Sequence, residues 1–276
     1  MNSIYDLQAP VARAQDSPVK FPVAPYPSAA SYLDAYAEEI ARACKTIDPE
    51  AFDRAAAILI EAYDRDARMF SCGNGGSASI ANHMQCDHVK GVRTATDLTP
   101  RVLSLSANVE LITAIANDLG YENVFVYQLQ SQSRRGDVLI AVSSSGRSPN
   151  IVRALTWARD NGLRTIAITG FDGGAARTAT EVSVHVECTN YGIIEDLHQA
   201  VMHALAQYIR QSRMTADSIS ANVFLTITVQ PNLGTKRKQL LGCPRNKIGR
   251  HECALRLTCC QKTPGTPRAL TGSGPG

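Results

Sequence analysis

The sequence contains no apolar run approaching the roughly 20 residues that a membrane-spanning helix needs, and its N-terminus lacks the charged-then-apolar layout of a secretory leader. Both absences set the expectation of a cytoplasmic protein with no membrane partner. Nucleotide fingerprints are missing too. No Gly-x-x-x-x-Gly-Lys-Ser/Thr occurs, and Gly73-Asn74-Gly75 lacks the third glycine of a dinucleotide-binding turn. The eight cysteines form no framework: Cys44, Cys72, Cys86 and Cys188 are scattered and the other four lie near the C-terminus. Reduced thiols are expected.

Basic charge is scarce where a nucleic-acid interface would need it. Residues 1–217 hold 19 of the 28 Lys and Arg but 24 of the 25 Asp and Glu, a body charge of −5 under a total of +3. Affinity for phosphate backbones comes from clustered Lys and Arg. Nucleic acid is therefore not expected as a partner except through the last sixty residues, where nine basic side chains face one acid, Glu252.

What is present is enough for one good-sized core: 276 residues, 44% hydrophobic and 19% charged. Residues 1–30 hold Pro10, Pro18, Pro22, Pro25 and Pro27 with little periodic apolar pattern, and read as a flexible arm. Regular structure is expected from Ser31. Leu33, Tyr36, Ala37, Ile40 and Ala41 fall at helical spacing, and Asp48-Pro49 reads as an N-cap followed by proline at the first helical position.

Two helices therefore precede a strand–loop–helix alternation, with short apolar runs at Met69–Cys72, Val102–Leu105, Val138–Val142, Thr165–Thr169 and Val182–Val186. This predicts an α/β fold, an αβα sandwich around a five-stranded, mostly parallel sheet. A last helix is expected from about Ile194 to Arg213. Domain limits follow at 31–214, with 215–276 an atypical basic tail rich in Cys, Pro and Gly that reads as a disordered or aberrant extension. Its Cys243, His251, Cys253, Cys259 and Cys260 match no defensible zinc spacing. A basic interaction tail is the functional alternative.

In an open parallel sheet, ligands bind beyond the C-terminal strand ends, where loops enter helices with free N–H groups. Two loops fit that place. Gly73-Asn74-Gly75-Gly76-Ser77 lets backbone approach a ligand closely, and Ser143-Ser144-Ser145-Gly146-Arg147-Ser148 offers four hydroxyls ahead of a helix opened by Pro149. Together they suit a sugar phosphate. Farther along the first of these helices, His83 and Asp87 at i and i+4 share a face, the geometry that a metal or an acid–base pair needs.

Ser71-Cys-Gly-Asn-Gly-Gly-Ser77, Ala116-Asn117-Asp118, Ser143-Ser-Ser-Gly-Arg-Ser148, Thr169-Gly-Phe-Asp-Gly-Gly174 and a closing helix with His198 and His203 resemble the phosphoheptose isomerase branch of the SIS (sugar isomerase) family. The resemblance spans roughly residues 31–214. It implies substrate binding by Asn74, Gly75, Gly76, Ser77, Asn117, Asp118, Ser143, Ser144, Ser145 and Ser148, with Asp87 and Glu195 beside them. It implies zinc on His83, Asp87, Glu195 and His203, and a homotetramer. Two positions depart from the family: Asp87 stands where a longer glutamate is usual, and Glu195 where glutamine is.

The implied reaction is aldose–ketose isomerisation of sedoheptulose 7-phosphate through an enediol, with Asp87 and His203 moving protons and Glu195 able to share base duty. On one ideal helix Glu195 and His203 stand about 12 Å apart along the axis. Either Glu195 precedes the helix, or the ligands reach the site from different subunits. The rival reading is a non-catalytic SIS-type binding or regulatory protein, such as a replication-initiator-associating protein or a sugar-phosphate sensor.

Overall fold

The structure is a computed structural model, and it describes residues 20–221. Two helices come first. α1 (Ala29–Cys44) is opened by Ser28, whose hydroxyl accepts from Ser31 N–H in a reciprocal capping box. α2 (Pro49–Asp64) is opened by Asp48, whose carboxylate accepts from Glu50 N–H at 3.1 Å. The expected start of α2 is matched, and α1 begins two residues ahead of the expected Ser31.

The sheet then forms from β1 (Met69–Gly73), β2 (Val102–Ser104), β3 (Val138–Ser143), β4 (Arg164–Thr169) and β5 (Val182–His185), ordered β2-β1-β3-β4-β5. Every pairing is parallel, with Met69 opposite both Val102 and Val138, and Ile166 opposite Val182. Between them run α3 (Gly76–Cys86), α4 (Val109–Leu119), α5 (Val126–Gln132), α6 (Pro149–Asp160) and α7 (Gly174–Ala179). The expected αβα sandwich is what forms.

Period-2 alternation of the strands divides the core. Met69, Ile140, Val142, Ile166 and Ile168 face α2, α3 and the long α8 (Tyr191–Gln211), packing on Leu59, Met84, Val201 and Leu205. Phe70, Cys72, Leu139, Ala141 and Ala167 face the other layer, on Ile115, Phe125, Leu129, Ile151 and Leu155. All residues of β1 and β3 are buried, as strands covered on both faces must be.

Local chemistry shifts the expected borders. Phe21 is buried among Tyr26, Tyr32 and Tyr36, and its carbonyl accepts from the Asn190 side chain at 2.9 Å. The last residues of the proline-rich segment thus lie against α1 and the start of α8. Beyond Met214 a single helical turn, α9 (Ala216–Ser220), forms because the Thr215 hydroxyl accepts from Ser218 N–H. The apolar run Val223–Val229 and the Cys/His cluster of the tail lie outside the described residues, as do residues 1–19. Among the described residues no helix is long and apolar enough to cross a membrane.

Candidate functional site

The glycine loop leaves β1 and enters α3, and the serine loop leaves β3 and enters α6, so both open at the C-terminal edge of adjacent strands. Asn74 joins them. Its amide exchanges two hydrogen bonds with Asn150 at the start of α6, both 2.9 Å, and its carbonyl also accepts from Tyr121 Oη at 3.0 Å. Neither Asn150 nor Tyr121 carries a sequence signal, since each matters only through this contact.

Ser143 and Ser144 are buried, and Ser144 Oγ has no hydrogen-bond partner. Ser148 occupies the N-cap of α6 without a side-chain capping bond. Ser148 thereby stands at the first-turn N–H groups of α6, which open an anion-favouring position. Gly146 sits at φ +63, and a Cβ there would lie 1.9 Å from the carbonyl oxygen of Gly173. The serine loop therefore rests directly on the backbone between β4 and α7.

Arg147 reaches across that junction to form an ion pair with Asp172. The Gly174 N–H and then Arg147 hold the exposed Asp172 carboxyl below its ordinary range. Ser145, Arg147, Phe171, Asp172, Thr189 and Tyr191 line an open cleft of about 450 Å³, within the range of small-molecule sites.

A second cluster lies farther down α3. Asp87 is held between two histidines: Oδ1 is 3.1 Å from His83 Nε2, and Oδ2 is 3.4 Å from His203 Nε2 on α8. The imidazoles meet edge to face with centroids 5.1 Å apart. Gln199, one turn before His203, donates its amide to His203 Nε2 at 2.9 Å, which leaves that nitrogen with its lone pair in this contact and the ring proton on Nδ1. Asp87 Oδ2 is buried yet accepts no hydrogen bond.

One ligand atom from each of His83, Asp87 and His203 lies within 4.8 Å of the others. Two imidazole nitrogens and an orphaned carboxylate oxygen around one point fit a divalent metal, and two-histidine, one-carboxylate sets are typical of catalytic zinc. Sequence reasoning missed Gln199, although its i−4 spacing from His203 was available.

The backbone changes pitch at this cluster. α3 runs to Cys86, and Asp87–Val92 continue it as a wider π-turn, a feature frequent at functional sites. His88 on this turn is buried, its Nδ1 2.6 Å from Tyr63 Oη, while Cys86 just before it is exposed. Burial lowers the His88 pKa to about 4 and raises that of Tyr63.

The remaining expected residues fall in two groups. Glu195 lies within α8, not ahead of it, which removes the first of the two explanations for its spacing from His203. Its carboxylate stands against Gly76, where a Cβ would come within 2.6 Å of it, and it is not part of the triad. Ser77 is buried beneath the glycine loop. Asn117 and Asp118, at the end of α4, are exposed and bonded to each other at 2.8 Å, without a hydrogen bond to either loop.

The model of the SIS domain matches residues 31–170, half of the chain. The chain belongs to the SIS domain family. Within that family it falls in the phosphoheptose isomerase branch. It is 34% identical over 175 residues to the phosphoheptose isomerase of Aliarcobacter butzleri, covering 63% of this chain and 92% of that one. Two solved structures agree. Phosphoheptose isomerase GmhA from Neisseria gonorrhoeae aligns with a TM-score of 0.61 at 29% identity, over 67% of this chain and 100% of the other. The enzyme from Francisella tularensis aligns at 0.60 and 27%, over 67% and 99%. The matches to curated relatives and to these two structures identify an isomerase acting on a sugar phosphate.

Proposed function

We propose that the protein interconverts sedoheptulose 7-phosphate and a heptose 7-phosphate, with zinc held by His83, Asp87 and His203. The observation that carries this reading is the convergence of those three side chains around an orphaned carboxylate oxygen, on the helix launched by the glycine loop.

The phosphate is assigned to Ser144, Ser145 and Ser148 with the α6 N-terminus, and the sugar hydroxyls to Asn74 and the glycine-loop backbone. Asp87 and His203 are the proton carriers. One takes a proton from C1 of the ketose and returns it to C2, while a second proton passes in the same sense from the oxygen on C1 to the oxygen on C2. A bound zinc would polarise the carbonyl and hydroxyl oxygens during this exchange. Asn117 and Asp118 are assigned to the substrate by resemblance, without a contact of their own in this chain.

Within one chain the two halves of this machinery are apart. Glu195 stands at Gly76 and His203 at His83, so the glycine-loop end and the metal end are separated by about 12 Å of α8. We infer that neighbouring copies of the chain, in a homotetramer, complete each site, with Glu195 of one copy serving beside the triad of another. The isomerase on its own accounts for four potential ligands better than a binding module does.

The test joins metal analysis of the purified full-length protein to an isomerase assay on sedoheptulose 7-phosphate, before and after chelation. One zinc per chain and chelator-sensitive turnover are expected, and His83→Ala should lose both. Absence of metal together with absence of turnover overturns the proposal.

A further inference from the structure

We propose that the protein carries a second anion site, at the N-terminal ends of β1, β2 and β3, and that it takes the diphosphate group of a small metabolite. The strands place it at the other end of the sheet from the glycine and serine loops. β1 and β3 hold five and six residues, which at about 3.3 Å each separate the two ends by roughly 17–20 Å.

A cleft of about 330 Å³ opens there, and five arginines line it: Arg65, Arg68, Arg101, Arg134 and Arg135. Only two acids, Asp66 and Asp137, share the lining, so the cleft carries +3 within a body that carries −5. Guanidinium forks match phosphate oxygens in pairs, which a carboxylate-rich surface does not offer.

The built-in partners do not use up this charge. Arg101 is held by the Asp66 carboxylate at 2.8 Å, Arg65 by Glu61 at 3.3 Å, and Arg68 donates to the Gln132 carbonyl at 3.3 Å. The side chains of Arg134 and Arg135 make no hydrogen bond or ion pair among the described residues. Asp137 is buried, and it neutralises neither of them. Its two oxygens accept the backbone N–H groups of Arg68 and Arg134, both at 2.8 Å, and so brace the loops entering β1 and β3 against each other. The floor is open at Gly136, where a Cβ would meet nothing within 4 Å.

The ligand class follows from number and size. Two unpaired guanidinium groups beside three others exceed what one monophosphate needs, and +3 matches the charge of a diphosphate near neutral pH. The volume is at the small end of ligand pockets and admits a diphosphate with part of what it esterifies. A nucleic acid would call for a basic stripe along the surface, and the surrounding acidic body opposes it.

Calorimetric titration of the full-length protein with inorganic pyrophosphate tests this. One saturable site per chain is expected, with orthophosphate binding at least about tenfold more weakly. Arg134→Ala with Arg135→Ala should weaken pyrophosphate by about tenfold or more and leave isomerase activity intact. Ser144→Ala with Ser145→Ala should change pyrophosphate affinity less than about twofold. Arg135→Glu alone provides the same reading should the double variant lose its fold. Wild-type protein without a saturable site, arginine variants that bind as tightly as wild type, or loss of binding in the serine variant would each overturn the proposal.

Discussion

Gly146→Ala tests whether the serine loop is fixed by backbone-to-backbone packing. The residue sits at φ +63, where an alanine costs about 1–2 kcal/mol. The new Cβ would lie 1.9 Å from Gly173 O and 2.5 Å from Gly173 C, well inside the roughly 3.5 Å of ordinary carbon contact. Neither atom belongs to a side chain that can swing away, so one loop must move by more than 1 Å.

The Gly146 carbonyl accepts from Ala176 N–H at 2.9 Å, and its N–H donates to the Ser143 carbonyl at 3.2 Å. Straining or losing both adds about 1 kcal/mol each, for about 3–4 kcal/mol in total. Gly136→Ala is the control, since φ is +89 there and the space is empty. It should cost only the conformational 1–2 kcal/mol. Urea-unfolding midpoints of the two variants measure the difference. Displacing the hydroxyls by that distance should lower kcat/KM of Gly146→Ala by about a hundredfold. Equal destabilisation of the two variants, or a Gly146→Ala enzyme with wild-type kcat/KM, would refute the packing argument.

Burial holds His185 and His198 at pKa values of about 4, against about 6.5 when unfolded. The unfolded chain binds the extra protons first, so stability is full above pH 6.5 and falls as pH drops from there toward 4, by at most about 3 kcal/mol per histidine. His198→Leu should flatten that slope in urea titrations, and an unchanged slope would count against the assignment. Tyr63→Phe leaves the buried Nδ1 of His88 without its partner and should cost about 1–3 kcal/mol, seen as a lower urea midpoint; a neutral result would mean the contact at 2.6 Å contributes nothing. Gln199→Ala frees the His203 Nε2 lone pair that the amide N–H otherwise occupies and should strengthen metal affinity by up to about tenfold, read by competition with a chelator; weakened affinity would refute that competition.

Most of the sheet was legible because its signal is local. Each strand is a short apolar run ended by Gly, Ser or Asn, and the five expected runs coincide with the five strands to within one residue at every end. The two loops were legible for the same reason. What was not legible depends on contacts between distant residues. Asn150 and Tyr121 acquire a role only when Asn74 meets them 76 and 47 positions away. The π-turn at Asp87 has no compositional mark, so nothing local showed that His88 would be buried against Tyr63. The arginine cleft draws Arg65, Arg101 and Arg134 from three loops that are adjacent only because β1 lies between β2 and β3.

Asp87 is where sequence and geometry bear most directly on each other. A shorter acid than the branch usually carries would, on an uninterrupted α-helix, retract the carboxylate from a partner on another helix. Here the wider turn begins at Asp87 itself, and the residue stands between His83 of its own helix and His203 of α8, its two oxygens 3.1 and 3.4 Å from them. Both histidine nitrogens thus already meet the carboxylate that is present. The substitution and the local backbone are therefore compatible with the metal triad. Glu195 differs: a carboxylate at Gly76, about 12 Å up α8 from His203, adds negative charge beside the glycine loop and none to the triad of its own chain. In the proposed reaction its part is therefore with substrate at that loop or with the triad of a neighbouring copy, and not with the triad of its own chain.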